Sequence, residues 1–417
     1  MIIKRAYRTE LDPNNRQISL FRQCCGASRF VYNWGLEEWE RWYESGEKPG
    51  PSGMKLCKKF NAWKRENAAW IMELPYAVGE SAFRNLQSAF SRYFSDRKKG
   101  IVAKRIAKLQ TNGKWERKKA KLAKRGRFGY KAEPGYPQFK KKDNNSSFQL
   151  KGYKTFGNHV WLGRKIGFVR LKEKNYIPIN VAYRKNGGAT YITISQRAGR
   201  WFVSVQVEEE ITDPKNESIL IVGVDFGIKS LAVCSDGTIY ENPKPLRLAQ
   251  KQLKRLQREL SRRKLGGQNW HKTKAKIAKQ HARIANIRRH VLHNISHDLI
   301  INKRPALIVL EDLNVSGMTK NHNLAQAIMD VSFAELKRQI EYKAEWHDVR
   351  VMLADTWFPS SKTCSNCGCI KENLTLADRL FVCSDCNFTI DRDLNAARNL
   401  AALGEIKINR QTDGDSL

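Results

Sequence analysis

Four cysteines constrain the last quarter of the chain more tightly than any other feature. Cys364 and Cys367 form one Cys-x2-Cys pair, Cys383 and Cys386 form a second, and fifteen residues separate them. Two knuckles of this spacing present four thiolates to one Zn2+, and four thiolates complete a tetrahedral shell with no open position for substrate. The expected zinc is therefore structural. Cys369, beside Gly368 and outside both pairs, is the odd thiol and not an expected ligand, while the scattered Cys24, Cys25, Cys57 and Cys234 read as small core residues.

The chain around this segment has 417 residues, with 11 Trp, 13 Tyr and 17 Phe, enough core material for two or three packed domains. Its 76 basic residues against 41 acidic give a net charge of +35, which calls for a polyanion partner. A membrane is not the expected partner, since no apolar run approaches the roughly 18 residues that span a bilayer. The longest, Ile219 to Val224, reads as a buried strand. The start, with charge but no apolar h-region, is not a secretory signal, so a cytoplasmic, nucleoid-associated protein is expected.

Periodicity divides the chain. Residues 1–12 alternate as a strand, and from Pro13 the spacing of Ile18, Phe21, Phe30, Val31, Trp34, Trp39 and Trp42 turns helical. After Leu74-Pro75, the residues Val78, Ala82, Phe83, Leu86, Phe90 and Phe94 form an apolar stripe, with Arg84 and Gln87 off that face as candidates for duplex contacts. Residues 97–142 carry 18 Lys or Arg against two acids, interleaved with Trp115, Phe128, Tyr130 and Tyr136. Cations among aromatics suit a groove that neutralises phosphates and stacks bases, which nominates Lys118, Lys119, Arg125, Lys140 and Lys141. From Ser146 to Glu210 the period becomes two, with a hairpin turn at Arg197-Ala198-Gly199-Arg200. Beyond Asp213-Pro214 strands and helices alternate, interrupted over about 245–300 by two basic helices broken at Gly266-Gly267, whose exposed faces include Arg262 and Arg263.

Acids at three places in the chain carry the chemistry. Asp225 ends the apolar run Ile221-Val222-Gly223-Val224, Glu311 ends the apolar run Ala306 to Leu310, and Asp391 and Asp393 open an alanine-rich helix. Helix capping accounts for one of the last two acids and leaves the other without a task. Hard carboxylates on separate edges of one α/β unit, in so basic a chain, make sense as ligands for two Mg2+ ions at a phosphodiester.

Gly223-Val224-Asp225-Phe226-Gly227, Leu310-Glu311-Asp312-Leu313 and Asp391-Arg392-Asp393-Leu394-Asn395-Ala396-Ala397-Arg398-Asn399 resemble the three RuvC motifs of the transposon-encoded TnpB family, and Phe358 to Gly368 resembles the same family closely. The resemblance is densest from Gly223 to Asn399. It implies a multidomain α+β protein with a RuvC-like (RNase H-like) nuclease domain, an inserted zinc ribbon, an N-terminal helical recognition lobe and a β-barrel-like wedge domain. The expected boundaries are a first wedge strand at 1–12, the helical lobe at 13–138, the wedge at 139–212, the nuclease domain at 213–360, the zinc insertion at 361–387 and the nuclease end with a C-terminal tail at 388–417. Asp225, Glu311 and Asp393 become the catalytic carboxylates, with Asp391 an accessory candidate.

The activity so implied is RNA-guided DNA cleavage by a monomer that binds guide RNA and double-stranded target DNA and reads a short flanking motif, with pairing to the guide reading the rest. Two rivals are a guide-free structure-specific nuclease, to which the basic front half would be superfluous, and a cleavage-deficient RNA-guided repressor, in which at least one of the three acids would be missing. A DNA-joining transposase would use similar metals, but the motifs stand closer to TnpB.

Overall fold

The computed structural model describes residues 1–46, 52–124, 126, 128–142, 146–173, 178–179, 191–375 and 378–414. The chain divides into two units, Ile2–Glu209 and Glu210–Leu417 with Met1.

In the first unit seven strands form one sheet: β1 (Ile2–Asp12), β2 (Ser147–Lys151), β3 (Lys154–Phe156), β4 (His159–Trp161), β5 (Phe168–Leu171), β6 (Tyr191–Arg197) and β7 (Arg200–Glu210), in the order β2-β6-β7-β1-β5-β4-β3. The alternation of Trp201, Val203, Val205 and Val207 puts all four in the core. The β6–β7 turn has positive φ at both Ala198 (51°) and Gly199 (81°), the sense of twist that fits a two-residue hairpin.

Helices of this unit include α1 (Asn15–Glu44), α2 (Gly53–Asn67), α3 (Tyr76–Lys98), α4 (Ile101–Thr111) and α5 (Lys114–Ala123). A capping box starts α1, with the Asn14 side chain accepting from the Gln17 N–H and the Gln17 side chain accepting from the Asn14 N–H. The first half of α1 buries Phe21, Cys24 and Cys25 with Phe148 and Trp201 of the sheet, and its second half buries Val31, Leu36 and Trp39 with Phe83, Leu86 and Phe90 of α3. Phe94, at the end of the α3 stripe, is 40% exposed.

The second unit is built on a five-stranded sheet of β8 (Ile221–Asp225), β9 (Ser230–Cys234), β10 (Ile239–Glu241), β11 (Leu307–Glu311) and β12 (Arg350–Ala354), ordered β10-β9-β8-β11-β12. β8, β9 and β10 form an antiparallel meander, while β11 runs parallel to both β8 and β12. Helices α6 (Pro245–Arg262) and α7 (Gln268–His297) lie between β10 and β11 in sequence, followed after β11 by α8 (Val315–Met318), α9 (His322–Val331) and α10 (Phe333–His347). A small hairpin of β13 (Leu380–Val382) and β14 (Thr389–Asp391) leads into α11 (Arg392–Gly414).

The two-residue period of the strands sorts this core. Val222, Val224, Ile308 and Leu310 pack with Leu292 and Ile295 of α7 and Leu336 and Ile340 of α10. Ile221, Leu307 and Val309, on the opposite face, pack with Leu400 and Leu403 of α11. Among the scattered cysteines, Cys24, Cys25 and Cys234 are buried as expected. Cys57 departs from that reading: it is half-buried, with Sγ 3.3 Å from the Tyr76 hydroxyl. Among the described residues, no helix is long and apolar enough to cross a membrane.

Candidate active site and metal centre

Asp225 and Glu311 share the sheet face that α11 covers, because each stands two residues beyond a position on that face: Gly223, against which α11 packs, and Val309. The β8–β11 register ends at Leu310↔Val224, one step before the two acids. Gly223 lets the helix come down onto β8. A Cβ there would lie 2.0 Å from the Ala397 carbonyl oxygen and 2.5 Å from the Ala401 nitrogen. This close approach sets the first turn of α11, and with it Asp393, over the strand ends.

The three carboxylates line one cavity of about 710 Å³, together with Lys229, Lys244, Arg247, Arg379 and Arg392. Burial, then the charges of Glu311 and Asp393, push the Asp225 carboxyl well above the ordinary range, while Arg392 opposes the shift. Burial also raises Glu311, opposed by a hydrogen bond from the Ser360 hydroxyl. Arg392 pairs with Asp393, Nη2 to Oδ1 at 3.1 Å. Asp391 accepts the N–H groups of Asp393 at 2.9 Å and Leu394 at 3.2 Å, so it caps α11 and leaves Asp393 to the cavity.

Sequence reasoning missed Ser360, Asn395 and Asn399. Ser360 Oγ donates to Glu311 Oε1 at 2.5 Å. The segment carrying Ser360 is held to α11 by two buried amides: Asn399 Nδ2 donates to the carbonyls of Ser360 (2.7 Å) and Thr363 (2.6 Å), and Asn395 Nδ2 to that of Thr363 (2.7 Å). Asn395 Oδ1 in turn accepts the Ser365 N–H at 3.0 Å. Both asparagines were visible in the third motif, and two amides within an alanine-rich helix were the available signal, since Asn disfavours helix interiors without a specific partner.

The thiols of Cys364, Cys367, Cys383 and Cys386 all lie within 4.8 Å of one another, with Cys364–Cys386 at 3.7 Å and Cys367–Cys383 at 3.6 Å. Tetrahedral Zn2+ with bonds of about 2.3 Å separates its sulfurs by about 3.8 Å, so the donor set fits zinc. Among the described residues this is the one cluster of three or more His, Cys, Asp or Glu side chains gathered so tightly, and Cys369 stays outside it.

None of the described basic candidates lines the acid cavity. In the first unit the Arg84 guanidinium lies over the Tyr191 ring at 3.4 Å, and Gln87 Oε1 accepts the Gly53 N–H at 3.1 Å. Lys118 and Lys119 flank Trp115, at 5.9 and 5.6 Å from its ring. Lys140 lies over the Tyr32 ring at 4.0 Å, its backbone tied to the Asn33 side chain, and Lys141 is exposed. Arg125 falls outside the described residues. In the second unit Arg262 is exposed, and Arg263 pairs with Glu259 at 2.6 Å.

Comparison with known proteins places this architecture. A family model described as "Probable transposase" matches residues 202–322, one described as "Cas12f1-like, TNB domain" matches 333–400, and one described as "Helix-turn-helix domain" matches 1–48. A Streptomyces pristinaespiralis protein named "Putative RNA-guided DNA endonuclease" is 32% identical over 96% of this chain and 90% of its own length. The chain belongs to the TnpB family. A second relative, Escherichia coli "Putative RNA-guided DNA endonuclease InsQ", is 30% identical over 96% of this chain and 92% of its own. The fold is similar to that in "Cryo-EM structure of the Cas12f1-sgRNA-target DNA complex", with a TM-score of 0.53 at 15% identity over 96% of this chain and 99% of that one. In this TnpB-family chain the described residues of the region matched as helix-turn-helix, 1–46, form one strand, β1, and one long helix, α1, rather than two short helices.

Proposed function

We propose that this chain is an RNA-guided DNA endonuclease with one RuvC-like active site at Asp225, Glu311 and Asp393. The observation that carries the reading is the meeting of these three acids, from β8, β11 and α11, in one cavity rimmed by cations. An antiparallel meander followed by two strands parallel to its first is the sheet order of an RNase H-like domain, which supports the RuvC reading of the second unit. The first unit would then supply the helical recognition lobe and the barrel-like wedge.

The donor set suits Mg2+. All three groups are hard oxygens, and burial together with repulsion from Glu311 and Asp393 raises Asp225, a cost that a bound divalent cation relieves. Two Mg2+ held by these acids would supply Lewis acidity at the scissile phosphate and stabilise the departing oxygen. The protein's own part is positional. Ser360 orients Glu311, Asn395 and Asn399 hold the Ser360 segment to α11, and Gly223 admits α11 against β8. Zinc at the four thiols would fix the insertion that precedes Asp393 in the chain.

Guide RNA and duplex DNA are the partners that the net charge of +35 and the names of the relatives support. The test is to sequence the RNA that co-purifies with the protein and offer the complex matched duplexes with randomised flanks in Mg2+. Cutting that depends on the guide and enriches one flank is the expected result. A bound RNA without cutting would favour a repressor, and cutting of branched DNA without RNA would favour a structure-specific nuclease.

A further inference from the structure

We propose that Trp357 is a stacking platform for an unpaired base of the DNA strand delivered to the acid cluster, an inference that rests on the nuclease reading above. Trp357 is 88% exposed, whereas Trp70, the next most exposed tryptophan among the described residues, is 48% exposed. An indole this exposed presents a large, rigid aromatic face that a partner can cover.

The exposure does not come from a loose loop. The Asp355 side chain accepts the Trp357 N–H at 2.8 Å, the Asp355 carbonyl accepts the Phe358 N–H at 3.0 Å, and the Phe358 carbonyl accepts the Ser360 N–H at 2.8 Å. Phe358 packs inward against Leu307, Val309, Ala354 and Leu400. The backbone is thus fixed on both sides of a side chain that points outward, the arrangement of a presented contact.

Its position selects the ligand. Ser360, three residues on, bonds to Glu311, so the Trp357 backbone lies within about 11 Å of the residue that holds that acid. The acid cavity, which Ser361 of the same segment lines, carries Lys229, Lys244, Arg247, Arg379 and Arg392, a rim suited to phosphates. Phosphate-binding cations beside an exposed aromatic face form the usual pairing for single-stranded nucleic acid, in which bases stack without sequence preference. A protein partner is disfavoured by the same cationic rim.

The test measures binding by the full-length chain with its guide RNA to a short labelled single strand and to the same sequence as duplex, by fluorescence anisotropy. Trp357→Ala should weaken single-strand affinity about tenfold and leave duplex affinity unchanged, while Trp357→Phe keeps most of the affinity. The ratio between wild type and Trp357→Ala should stay constant as salt rises, because stacking releases no counterions, whereas a phosphate contact would change the slope. A strand made abasic throughout should bind both forms alike. Equal single-strand affinity of wild type and Trp357→Ala, or an equal loss on duplex, overturns the proposal. If wild type with its guide fails to cut matched DNA, the nuclease reading falls, while the anisotropy result still decides whether Trp357 stacks on bases.

Discussion

Ser360 and Glu311, 49 residues apart in the chain, are joined by a 2.5 Å hydrogen bond from hydroxyl to carboxylate. Glu311 is thereby oriented by a segment that is itself pinned to the helix bearing Asp393. Loss of a hydrogen bond that orients a ligating carboxylate costs about 10–100-fold in metal affinity or activity. Ser360→Ala should therefore lower guide-dependent cleavage by that factor with RNA binding unchanged, measured by single-turnover cutting and a filter-binding assay.

Gly223 is the point where α11 touches β8. Any side chain there meets the Ala397 carbonyl at a distance no Cβ tolerates. Gly223→Ala should destabilise the second unit by about 1–3 kcal/mol, the usual cost of overpacking, and move Asp393 away from Asp225. A lower thermal midpoint together with lost cleavage is the expected pair of results.

The four thiols link metal to the third acid through Asn395, which bonds both Thr363 and Ser365 at the first knuckle. Elemental analysis should find one zinc per chain, and Cys383→Ser should lose it. Because metal binding is coupled to local folding, the variant should also cut more slowly, with guide binding retained.

Lys343 is a buried ammonium that donates to the His293 carbonyl at 3.0 Å and the Ser296 hydroxyl at 2.8 Å, and desolvation lowers its pKa to about 8. Its folded-state pKa lies below the unfolded value of about 10.4, so the unfolded chain binds more protons in that window and stability rises with pH. The penalty is fully present below pH 8 and is relieved as pH approaches 10.4. Chemical unfolding of wild type should show this rise relative to Lys343→Met, and parallel pH profiles of the two would contradict it.

The apolar runs before Asp225 and Glu311 were legible as strands because no polar residue interrupts them, and the paired cysteines because metal geometry dictates their spacing. The alternation of Trp201 to Val207 and the turn at Ala198-Gly199 were legible for equally local reasons. The position of β1 inside the seven-stranded sheet, between β7 and β5, depends on pairing across more than 150 residues: Leu11 faces Leu171. The tasks of Ser360, Asn395 and Asn399 were hidden for the same reason, since each bonds a partner 32 to 49 residues away. Arg84 and Gln87 lie off the apolar stripe as the helical period requires, yet their partners, Tyr191 and Gly53, emerge only once the helices and sheet are packed.

The central claim is that Asp225, Glu311 and Asp393 form the DNA-cutting site, and Asp225→Ala tests it most directly. With guide RNA bound and Mg2+ present, the variant should leave matched duplex DNA uncut on both strands while binding guide RNA as tightly as wild type. Cleavage at the wild-type rate by that variant would contradict the account.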